Sequence, residues 1–113
     1  FAQTSFLVNN NITEDYTDII HKVCQAYASS CAFTYQHPES AGELLVKYGF
    51  YPSSDLAVQS IPLCNIQFEY AQTIKEEIQQ YLSIFYTFDP KSIGGKMPDD
   101  DFIFEVFKAT TQP

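Results

Sequence analysis

A chain of 113 residues with 45% apolar content, ten Phe and eight Tyr has enough hydrophobic side chain to build a folded core, which excludes a disordered segment. Fourteen carboxylates against six lysines leave a formal charge of −8, there is no arginine, and Lys22, Lys47, Lys75, Lys91, Lys96 and Lys108 stand singly. A surface that follows phosphates needs clustered cations, so neither nucleic acid nor an anionic membrane is expected as a partner, and no apolar run approaches the roughly 20 residues of a spanning helix.

The first twelve residues read as a lead-in, with Phe6, Leu7 and Val8 a short strand and Asn9 to Asn11 a turn. Thr13 is placed to cap a helix whose first turn holds Glu14 and Asp15, and Tyr16, Ile19, Ile20, Val23 and Tyr27 recur at helical spacing. Cys31 to Tyr35 alternates as a strand does. Pro38 then opens a second helix with Ala41, Leu44, Leu45 and Tyr48 on one face, and Gly49 closes it. Leu56 to Ile61 is β-like up to Pro62, after which Cys64, Ile66, Phe68 and Tyr70 alternate with Asn65, Gln67 and Glu69 as the clearest strand. The period turns helical again over residues 72–85, with Ile74, Ile78, Tyr81, Leu82 and Phe85 on one side. Residues 87–98 hold two prolines and two glycines and read as a loop; over residues 101–109 the alternation of Phe102, Phe104 and Val106 leans towards a strand, while the acidic triplet before it would also cap a helix through Phe107. The expected fold class is α+β: one domain over residues 1–113, with about three helices packed on a short, mostly antiparallel sheet.

The polar residues select no autonomous chemistry. Asp99, Asp100 and Asp101 lack the ligand spacing of a calcium loop, and Ser92 to Lys96 lacks the glycine spacing of a phosphate loop. His21 and His37 have no Cys, Asp or Glu at ligand spacing, so no metal site is expected, and no cysteine is singled out as a nucleophile. An odd set of cysteines, Cys24, Cys31 and Cys64, slightly favours an intracellular, reducing location. The Phe1 start and the glycosylation sequon Asn11-Ile12-Thr13 point instead to secretion, which would suit a Cys24 to Cys31 bridge.

One segment, FTYQHPESAGELLVKYGF from Phe33 to Phe50, resembles the end of the catalytic domain in SET-domain lysine methyltransferases of the Rubisco large-subunit methyltransferase type. That family has a strand ending in tyrosine, a loop, a helix with a Glu-Leu-Leu-like core, and then Tyr-Gly-Phe. Tyr35, Glu43-Leu44-Leu45 and Tyr48-Gly49-Phe50 occupy those places. The resemblance implies S-adenosylmethionine as the methyl donor, Tyr35 as the catalytic tyrosine that orients a lysine amine, and Tyr48 and Phe50 as walls of the substrate lysine channel. Gln36 stands where the family often has glycine, and the donor-binding Asn-His motif and the glycine-rich start have no counterpart. What it implies is therefore a fragment, subunit or degenerate relative, not self-sufficient in catalysis. The alternative drawn from composition is a small acidic protein-binding module, of the inhibitor or immunity type, whose carboxylates and tyrosines engage a basic protein.

Overall fold

The first proline in the sequence is Pro38 and the first glycine is Gly42, so nothing in the preceding residues breaks a helix once it starts. A computed structural model, which describes residues 4–107, bears this out. Asn9 caps a 3-10 turn over Asn10–Ile12 by accepting the Asn11 N–H on Oδ1, and the sequon residue Asn11 is exposed in that turn. Helix α1 then runs over Thr17–Gln36, far past the end that its large apolar residues suggest.

Three further helices follow: α2 over Pro38–Lys47, α3 over Ser54–Ser60 and α4 over Lys75–Phe88. Short 3-10 turns at Ile61–Leu63, Pro90–Ile93 and Asp100–Phe102 complete the regular structure. The fold among the described residues is therefore helical, and the expected α+β class with its sheet is wrong: none of the described residues lies in a strand. Cys31 to Tyr35 is the last part of α1, because a five-residue alternation cannot override an unbroken helix with alanine at 26, 28 and 32. Leu56 to Ile61 is mostly α3, begun by Ser53, whose Oγ accepts the Leu56 N–H at 3.2 Å, and by Asp55 in the first turn.

The other expected strands fail for a different reason. Residues 66–70 keep the one-sided character the alternation predicts, with Ile66, Phe68 and Tyr70 half-buried and Gln67 and Glu69 exposed. Two of the segments that would have supplied neighbouring strands are helices, and Asn65 at φ +48° turns the chain at the start. Residues 6–8 are irregular, and 101–107 begin with a 3-10 turn and continue without a ladder; Lys108 and Ala109 lie outside the described residues.

The chain separates into two compact units, one of residues 1–20 with 69–113 and the other of residues 21–68. In the first, the segment after the Asp100–Phe102 turn is clipped to the approach to α4. Gln72 makes a two-point amide contact with Phe107, accepting its N–H at 3.0 Å and donating to its carbonyl at 3.2 Å. Tyr70 meets the Phe107 ring edge-on with centroids 5.0 Å apart, and Lys75 donates to Asp100 at 2.9 Å. This unit holds eleven of the fourteen carboxylates and four of the six lysines, a net −7 (eleven against four).

The second unit is built on α2 against α3. Ala41 and Gly42 on α2 and Ala57 on α3 are buried, and Ile61 is buried just beyond α3. Their small size lets the two backbones approach. A Cβ on Gly42 would stand 3.1 Å from the Ser54 carbonyl oxygen and 3.3 Å from Val58 Cγ2. Along α1, His21, Cys24, Ala28, Cys31 and Thr34 are half-buried at spacings of three and four, whereas Val23 and Tyr27 are exposed. Buried Ile20 heads this face, and beyond it the inward side chains are mostly small.

The same helix rules out the Cys24 to Cys31 bridge. Seven residues along a helix separate two Cα atoms by about 10.5 Å at 1.5 Å per residue, beyond the reach of a disulfide. All three cysteines are free thiols, and burial holds the Cys24 thiol above its ordinary pKa.

Candidate functional site

The residue-by-residue logic of α2 explains how its far end opens onto a groove. Pro38 is the first helical residue, where its missing N–H costs nothing, and the Ala41 N–H bonds the His37 carbonyl at 2.9 Å to start the ladder. At the other end Tyr48 is the cap and Gly49 adopts φ +77°, a left-handed conformation glycine takes without penalty. The Gly49 N–H bonds Val46 O at 3.0 Å and the Phe50 N–H bonds Leu45 O at 2.8 Å. These two reversed bonds are a Schellman motif, which characteristically brings the residue after the glycine towards the third residue from the helix end. Here those two residues are Phe50 and Leu45, and both line the groove.

That groove, of about 780 Å³, lies wholly within residues 21–68. The last turns of α1 contribute Ser30 and Phe33, α2 contributes Leu44 and Leu45, and the turn after it contributes Tyr48, Phe50 and Tyr51; α3 and the following 3-10 turn add Ala57 and Ile61. No Lys, Asp or Glu is among its lining residues. Two hydroxyls on its wall are already engaged with their own helices: Thr34 donates to the Ser30 carbonyl and Ser60 to the Leu56 carbonyl, each at 2.8 Å. The lining is mainly hydrocarbon and aromatic ring, with Ser29, Ser30, Tyr48, Tyr51 and Cys64 adding polar groups.

Several of those side chains are strongly exposed, with Tyr48 at 66% and Phe50 at 75%. Scattered exposed apolar residues are ordinary, but large aromatic side chains gathered around one uncharged groove mark a surface suited to association. The Lys47 ammonium sits 5.5 Å from the centre of the Tyr48 ring, so that face already carries a cation from its own chain.

Of the three residues singled out in the sequence, Tyr48 and Phe50 come together on this groove and Tyr35 is not among its lining residues. Tyr35 lies in the last turn of α1, not at the end of a strand, and its hydroxyl donates to the Pro62 carbonyl at 3.3 Å. Sequence reasoning missed Ser30 and Phe33 as site residues because it ended the first helix too early. The signal was present in the absence of any glycine or proline before Pro38.

The remaining candidates are dispersed. His37 precedes α2 and packs on Phe33 with ring centroids 5.2 Å apart, while His21 is half-buried on α1. Asp100 is tied to Lys75, and Asp89 caps the Pro90–Ile93 turn by accepting the Lys91 N–H at 3.1 Å. Among the described residues, no group of three His, Cys, Asp or Glu side chains could hold a metal ion, and no helix is long and apolar enough to cross a membrane. Compared with protein-family models, with curated proteins and with solved structures, the chain matches none.

Proposed function

We propose that this chain is a protein-binding module that takes an apolar segment of a basic partner into the groove formed by residues 21–68. The observation that carries the reading is the uncharged groove itself, rimmed by exposed Tyr48 and Phe50. Aromatic side chains of this kind give large contact area at little conformational cost and dominate the energetics of interfaces. The net charge of −8 adds long-range attraction for a basic protein, which raises the association rate more than it lowers the dissociation rate.

The test is photo-crosslinking with a benzophenone amino acid placed at Phe50 or, as a control, at Leu63, which is 86% exposed and does not line the groove. A basic protein joined at Phe50 and not at Leu63, with a yield that falls as salt rises, supports the reading. Equal labelling from both positions, or none from Phe50 in extracts of the source cells, removes it.

A second reading, a fragment or degenerate relative of an S-adenosylmethionine-dependent lysine methyltransferase, is favoured by one observation: Tyr48 and Phe50 line a common groove. Against it stand the helical setting of Tyr35 and the absence of Tyr35 from that groove. Calorimetric titration with S-adenosylmethionine separates the two, since a binding module gives no heat.

A further inference from the structure

We propose that Asn11 carries an N-linked oligosaccharide, so that this part of the chain passes through a compartment where such sugars are added. The chain has four asparagines, Asn9, Asn10, Asn11 and Asn65, and only Asn11 has Ser or Thr two residues on, as Asn11-Ile12-Thr13 with no proline between. A sequon becomes a site only where the folded chain can hold a bulky polar sugar in water, and the fold supplies that place. Asn11 is exposed in the 3-10 turn over Asn10–Ile12, ahead of α1, and Asn9, Asn10 and Ile12 beside it are exposed as well. The turn belongs to the unit of residues 1–20 with 69–113, so the proposal stands or falls apart from the groove.

The hydrogen bonds of the turn leave the acceptor group out. Its shape is held by Asn9 Oδ1, which accepts the Asn11 backbone N–H at 3.0 Å, and by the Ile12 N–H on the Asn9 carbonyl at 3.1 Å. The Asn11 side-chain amide takes part in neither, and no hydrogen bond among the described residues uses it. Replacing one of its N–H hydrogens by a sugar therefore breaks no native contact. Thr13 differs, because its Oγ1 donates to the Asn10 carbonyl at 2.9 Å and the residue is half-buried. In a sequon that hydroxyl is what the transferase reads, so the sugar is added while the hydroxyl is free, before the turn closes.

The step is a substitution at a sugar carbon. The donor is an oligosaccharide joined through its anomeric carbon to a lipid diphosphate. Asn11 Nδ2 gives one proton to a base of the transferase and forms the new C–N bond, while the C–O bond breaks and the lipid diphosphate leaves with the electron pair. Nothing is oxidised or reduced. Secretory compartments are oxidising, and the free thiols of α1 fit that setting: Cys24 and Cys31 lie on one helix beyond disulfide reach of each other, so an oxidant cannot join them.

The full-length protein from its source cells is digested with trypsin, and the peptide ending at Lys22, which holds Asn11, is mapped by mass spectrometry. The expected result is a saccharide on that peptide that peptide N-glycosidase in heavy-oxygen water removes, leaving a labelled aspartate at position 11. Asn11→Gln and Thr13→Ala, expressed in the same cells, lose the saccharide, whereas Asn10→Gln and Thr13→Ser keep it. An unmodified asparagine at position 11 throughout the native protein overturns the proposal, as does a saccharide that persists in Asn11→Gln or in Thr13→Ala. A label that appears equally without the glycosidase marks spontaneous deamidation and overturns it too.

Discussion

Replacing Gly42 with alanine sets two opposed effects against each other, and the structure says which wins. In a helix interior alanine is preferred over glycine by about 0.8–1.0 kcal/mol, so a loosely packed α2 would gain stability from Gly42→Ala. The added Cβ, however, would stand 3.1 Å from the Ser54 carbonyl oxygen, 3.3 Å from Val58 Cγ2 and 3.5 Å from Ala57 Cβ. The closest of these is a backbone atom at the start of α3, so it cannot swing aside as a side-chain tip would. The helices must part by a few tenths of an ångström, and overpacking of this kind costs about 1–3 kcal/mol. The net expectation is a loss of about 1 kcal/mol, which with a urea slope of about 1–2 kcal/mol/M lowers the unfolding midpoint by about 0.5–1 M. Urea titration followed by helical circular dichroism measures it. Trimming the neighbour in a Gly42→Ala, Val58→Ala double variant should recover part of the loss as a favourable coupling. A midpoint that rises with Gly42→Ala alone would mean that α2 and α3 do not approach as described, and the groove wall they form would lose its basis.

Three further outcomes follow from named atoms. Gly49→Ala forces a Cβ into the left-handed region at φ +77° and should cost about 1–2 kcal/mol, seen as a lower melting temperature; an unchanged melt contradicts the Schellman ending of α2. Intact mass after mild oxidation should show no Cys24 to Cys31 bridge within the monomer, and alkylation near neutral pH should label exposed Cys64 before Cys24, whose thiol burial holds above its ordinary pKa and so keeps protonated; the reverse order contradicts the packing of α1. The hydrogen bond from Lys75 to Asp100 raises the Lys75 pKa, so the link is complete below the ordinary lysine pKa and is lost as pH rises through the raised value. An NMR titration of the lysine side chains should show Lys75 returning towards its ordinary value in Asp100→Asn, and no change would dismiss the pairing.

Helix α2 was legible in the sequence nearly to the residue, because proline at its start and glycine just past its end act through backbone geometry that neighbours cannot overrule. The helix after residue 72 was also legible in kind, although α4 starts at Lys75 and runs on to Phe88. The strands were not legible, for two physical reasons. A five- or six-residue alternation is too short to distinguish a strand from a helix with mixed faces, and Cys31 to Tyr35 and Leu56 to Ser60 both lie in such helices. Residues 66–70 kept their alternating burial, but a strand needs a neighbour, and that is a property of the fold that no local window contains.

The site was half legible. Tyr48 and Phe50 were singled out and both border the groove, since helix period and the Schellman turn place them there. Tyr35 was placed at the end of a strand that does not form, and Ser30 and Phe33 were passed over because α1 outruns its pattern of large apolar residues. Beyond buried Ile20, the half-buried face of α1 carries small side chains such as Ala28 and Cys31, which hydropathy weighs lightly although close packing depends on them.

The groove is tested most directly by the affinity of the crosslinked partner for two matched variants, each checked for an unchanged melt. Tyr48 and Phe50 are both exposed in the free chain, so truncating them to serine should leave stability intact while weakening binding by at least about tenfold, roughly 1.4 kcal/mol. The same truncation at Leu63, exposed but off the groove, should change affinity less than about twofold. Equal affinities for wild type and the Tyr48→Ser, Phe50→Ser variant would contradict the account.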